Sequence, residues 1–60
     1  MTIYRVTKRV RANSKKRIAT KIGFDRKIDA QRYAKETEFE YPGTSPRVVK
    51  DSERVRRMIP

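Results

Sequence analysis

Two alternating runs of residues flank a short basic loop, and they dictate most of what this chain can become. In Ile3–Arg11, Tyr4, Val6 and Val10 share one parity, and Arg5, Thr7, Arg9 and Arg11 share the other. In Arg17–Phe24, Ile18, Thr20, Ile22 and Phe24 alternate with Arg17, Ala19 and Lys21. Successive side chains of a strand point to opposite faces. The pair therefore predicts a β-hairpin with one apolar face and one face of Arg and Lys. The joining segment, Ala12-Asn13-Ser14-Lys15-Lys16, supplies turn chemistry through Asn13 and Ser14. It is longer than a two-residue hairpin turn, so the loop is expected to project. Lys8 interrupts the apolar parity and leaves two readings open. Its stem runs past the edge of the core, or a bulge shifts the register there. Gly23 marks a bulge or a close backbone approach near the end of the second run.

Beyond the hairpin the period changes. Asp25 is placed as a helix N-cap, and Ala30, Tyr33, Ala34 and Thr37 form a narrow stripe at helical spacing as far as about Glu38. The alanines let this helix sit close to a sheet, with Tyr33 as the wedge. Ile28 and Phe39 lie off the stripe; Phe39 is expected to fold back onto the core past the helix end, the alternative being an exposed aromatic that offers a contact. Glu36, Glu38 and Glu40 crowd the helix C-terminus, where the macrodipole disfavours anions. Tyr41–Pro46 is a turn and loop punctuated by Pro42-Gly43, with Pro46 expected to hold Ser45 extended. Arg47–Asp51 reads as a third strand. The order is thus β-β-α-β, an α+β fold: a three-stranded antiparallel sheet in order 2-1-3 with one helix packed on one face. Residues 1–52 form a single small domain in this reading, and 53–60 form a basic C-terminal tail, which either frays or sets Val55, Met58 and Ile59 against the core as a helical turn or as an extension of the third strand.

Size restricts the function. A chain of 60 residues holds one small core and lacks room for a deep, enclosed substrate cavity. There is no cysteine and no histidine. That removes the commonest thiol nucleophile and general base and the usual zinc-ligand sets. It also suits a reducing, cytoplasmic setting. No apolar run reaches the ~20 residues of a membrane span. No catalytic residue, metal site or cofactor is expected.

Charge supplies the positive signal. The net charge is +10, and residues 1–27 alone carry +9, against −2 over residues 28–46 and +3 over residues 47–60. The hairpin therefore holds most of it. Its basic face, expected to lie open to solvent on the side of the sheet away from the helix, offers Arg5, Thr7, Arg9 and Arg11 from the first strand and Arg17 and Lys21 from the second, with Lys15 and Lys16 in the loop. Arginine forks suit phosphate geometry, and a two-stranded ribbon fits the DNA major groove. No aromatic has the basic parity, which favours duplex DNA and phosphate-backbone contact over stacked single strands or RNA. These eight residues are the candidate nucleic-acid-binding set. Sheets of this layout backed by one helix occur among DNA-binding domains, a resemblance of layout only. The alternative is a protein-interaction or self-assembly module, forming a weak homodimer through its edge strands or by meeting the basic hairpin of a second copy with its acidic helix end.

Overall fold

A computed structural model describes residues 2–60. The chain runs β1 (Tyr4–Arg9), β2 (Arg17–Ala19), α1 (Lys27–Glu40), β3 (Arg47–Lys50) and α2 (Glu53–Arg56). The strands form one sheet in the order β2-β1-β3, and both neighbouring pairs are antiparallel. The sheet order and the main helix agree with the alternation and period read from the sequence.

The hairpin register is unbroken through Thr7↔Ala19, Lys8↔Ile18 and Arg9↔Arg17. Lys8 therefore marks no bulge. Its stem crosses the core edge and its Nζ lies 4.8 Å from the centre of the Tyr41 ring, a cation–π contact that keeps the charge at the surface. The irregularity lies instead after β2. Continued register would set Tyr4 opposite Ile22, yet Tyr4 pairs with Phe24 through two backbone hydrogen bonds of 2.7 and 2.8 Å. Two extra residues are absorbed between Ala19 and Phe24. An even number preserves parity, so Phe24 keeps the apolar face while Ile22 is expelled to solvent. Gly23 permits the crossing, because a Cβ there would lie 2.6 Å from Ile3 Cγ2.

Phe24 packs at 5.5 Å from Tyr33 of α1, ring centre to ring centre. α1 covers the face of Val6, Lys8, Ile18 and Val48. Ala30 and Thr37 of its stripe are buried, and Thr37 returns a hydrogen bond to the Tyr33 carbonyl. Val6, 1% exposed, is the centre of the core; burying it contributes about 1.5–3 kcal/mol. Asp25 is not the N-cap. The Tyr4–Phe24 bridge holds the chain extended, so the helix starts later, with Arg26 at the cap position and no side-chain cap. Phe39 does not fold back, because α1 continues through Glu40 and carries it outward, 88% exposed.

The second face of the sheet is not open along its length. Ser52 accepts a hydrogen bond from Val55 N and caps α2, so of the readings open for the tail the helical turn against the core is the one adopted, and the segment neither frays nor extends β3. α2 buries Val55, and the Met58 carbonyl accepts from Ala19 N at 3.0 Å. Thr7 and Ala19 are buried as a result, at 4% and 3% exposure. The reason is chemical: Ala19 and Val49 place apolar surface on the face that the alternation assigns to cations, and a core this small covers it.

Candidate nucleic-acid interface

The eight residues expected on the basic face and in the hairpin loop separate into three groups. The first is structural. Arg5 donates through Nε to Asp51 Oδ1 at 2.7 Å, and through Nη1 to the carbonyls of Thr20 and Lys21 at 3.1 and 2.8 Å. Those carbonyls lie where the regular ladder gives way to the two extra residues before Phe24, so Arg5 satisfies groups the ladder leaves without partners. Thr7 is buried, and its hydroxyl and carbonyl oxygens accept from Arg17.

The second group converges. Arg9, Lys15 and Arg17 line a cleft of about 430 Å³ together with Asn13, Ser14 and Arg47. β1 and β2 bring Arg9 and Arg17 directly opposite each other. The Thr20 N to Val6 O and Val10 N to Lys16 O bonds place this pair at a non-hydrogen-bonded position, where Cα atoms stand ~4.5 Å apart. β3 brings Arg47 opposite Thr7. Like charges facing across strands destabilise a sheet, so this is a costly arrangement for the fold alone.

The electrostatics agree. Arg17 has its pKa lowered, first by burial and then by the charges of Arg47 and Arg9. Among the described residues, ion pairs join Arg5 and Arg56 to Asp51 and Arg57 to Glu53; Arg9, Lys15, Arg17 and Arg47 take part in none. No carboxylate lines the cleft. The cluster is held by backbone instead. Arg17 Nη2 donates to the Thr7 and Ser45 carbonyls at 3.0 and 2.7 Å, and Arg9 Nη1 to the Ala12 carbonyl at 3.2 Å. Among the described residues these bonds engage one nitrogen of Arg17, which leaves further guanidinium donors to face an anion.

Ser45 is not extended before Pro46. Its φ is +46°, left-handed for a residue with a Cβ. Its carbonyl holds Arg17, and the neighbouring Thr44 carbonyl accepts from Arg9 N at 2.7 Å. The strained turn is thus tied to both arginines of the cross-strand pair, the kind of strain that collects at functional sites.

The third group, Arg11, Lys16 and Lys21, is exposed and lies outside the cleft. Arg11 and Lys16 belong to the hairpin loop beside it, where Ser14 N bonds the Arg11 carbonyl and Lys16 N bonds Ser14 Oγ. Lys21 lines an apolar groove with Ile18, Ile22 and Tyr33.

Arg47 was not among the candidates drawn from the sequence. In Arg47–Lys50 each parity holds one cation and one valine, so alternation alone does not say which cation shares a face with Arg9. The register does. Among the described residues no group of acidic side chains is arranged to hold a metal ion, and no helix is long and apolar enough to cross a membrane. Comparison with known proteins gives no match to a family model, to a curated protein or to a solved structure.

Proposed function

We propose that this protein is a small nucleic-acid-binding module that holds the phosphate backbone of duplex DNA. The cleft of Arg9, Lys15, Arg17 and Arg47 is the contact, with Arg11 and Lys16 of the hairpin loop beside it. One observation carries the reading: four cations meet around a single cleft with no carboxylate in it. A fold tolerates such repulsion at a cost, and a polyanion relieves it. The lack of cysteine fits a cytoplasmic setting for this role.

Phosphate contact without base readout is salt-dependent and tolerant of sequence. Four neutralised phosphates give a slope of log K against log salt of about −3.5 on B-DNA. Fluorescence anisotropy over a range of salt concentrations measures that slope directly. The double variant Arg9→Glu, Arg47→Glu is expected to abolish binding while retaining the circular dichroism spectrum. Unchanged affinity in that variant, or no binding by the parent at low salt, overturns the proposal.

Phe39 favours a second reading, self-assembly. It stands 88% exposed on the last turn of α1, between Glu38 and Glu40, whose carboxylates complement a basic surface in charge. Light scattering of the parent and of Phe39→Ser without nucleic acid decides it: a salt-sensitive oligomer lost in the variant supports assembly, and a monomer throughout removes it.

A further inference from the structure

A second cavity, of about 300 Å³, adjoins the phosphate cleft between α2 and the sheet. Val49, Val55 and Met58 give it apolar walls, and Arg17, Arg47 and Arg54 supply its cations. Arg17 and Arg47 line both cavities, so they form the partition between them. On one side of the partition are cations and hydroxyl or amide groups. On the other are apolar side chains beside planar guanidinium groups.

This pairing has the chemistry of a single nucleotide. Unstacked bases are bound by apolar contact and by stacking on arginine planes as well as on aromatic rings, so the lack of an aromatic on this face does not remove base recognition. A base paired inside a duplex is stacked on its neighbours and does not reach such a slot; an unpaired base does. We propose that the cavity beneath α2 receives an unpaired nucleobase while its phosphate occupies the Arg9–Arg17–Arg47 cleft. The inference rests on the nucleic-acid reading and narrows it: the preferred ligand is a duplex with an unpaired terminal nucleotide, ahead of a continuous duplex.

Three hairpin duplexes test this. One is blunt, one carries a single-nucleotide overhang, and one carries the same overhang without its base. The last two hold equal numbers of phosphates, so the electrostatic contribution cancels between them. The base-bearing overhang is expected to bind about tenfold more tightly than the abasic one. Arg54→Gln, at an exposed position, and Met58→Ser are each expected to bring that ratio towards one. Taking a ratio within each variant removes the effect of the lost charge, and the Arg54 variant keeps the test usable if Met58→Ser unfolds. Equal affinity for the two overhangs in the parent overturns the base pocket while leaving phosphate binding in place. Failure to bind all three overturns the nucleic-acid reading itself.

Discussion

Arg5 on the central strand and Asp51 just past β3 are joined by a 2.7 Å charge-assisted hydrogen bond across 46 residues of sequence. Side-chain exposure is low at both ends, 14% for Arg5 and 21% for Asp51. The same guanidinium reaches the Thr20 and Lys21 carbonyls on the other side of β1. One side chain therefore ties the irregular stretch after β2 to the end of β3. Arg56 also approaches Asp51, at 3.7 Å, and draws α2 into the same network.

Replacing Arg5 by Ala leaves Asp51 and a part-buried carbonyl without this partner. The expected loss is about 2–3 kcal/mol, read as a shifted urea midpoint. Arg5→Lys is not expected to restore it, since a single ammonium does not reproduce the fork that serves three acceptors. A loss within about 0.5 kcal/mol, the range of an ordinary surface substitution, would show that the clip is dispensable.

Arg47→Ala separates function from stability. The residue repels Arg17 in the free protein, so its removal is expected to leave stability unchanged or slightly raised. Nucleic-acid affinity is expected to fall roughly tenfold, with a salt slope smaller by about one. Thermal unfolding and anisotropy titration on the same sample check both halves. A destabilised variant with full affinity would contradict them.

Gly43 sits at φ +88°, and a Cβ there would lie 2.9 Å from Ala12 Cβ. Gly43→Ala is expected to cost about 1–2 kcal/mol, from backbone strain and the clash together. Adding Ala12→Gly removes the clash alone, so the double variant is expected to recover only part of the loss. Full recovery would mean that the backbone conformation carries no strain.

Binding is expected to be flat between about pH 6 and 9 at fixed ionic strength. The chain has no histidine, the side chain that ordinarily titrates there, and no carboxylate lines the cleft. The lowered pKa of Arg17 acts elsewhere. Folded protein sheds that proton before unfolded protein does, so the charge costs stability at neutral pH. The cost is relieved only as pH climbs from the folded value towards the ordinary arginine range. A several-fold change in affinity across the neutral window would place a further titrating group at the interface.

The alternation of Tyr4–Phe24, the change to helical period at Ala30–Thr37 and the turn residues at Pro42-Gly43 determined the element order and the sheet with its main helix. Each of these signals is local: strand parity, helix period and turn chemistry act over a few residues. Tertiary structure alone decided which cations remain without a carboxylate partner among the described residues. Arg5 and Arg9 have the same parity on the same strand, yet Arg5 meets Asp51 and the Thr20 and Lys21 carbonyls while Arg9 meets Arg17. Arg47 joined the cleft through the β1–β3 register, and α2 covered the rest of the face because Ala19 and Val49 needed burial there. Charge is written residue by residue in the chain, but whether a charge is neutralised depends on what long-range pairing brings within hydrogen-bonding distance.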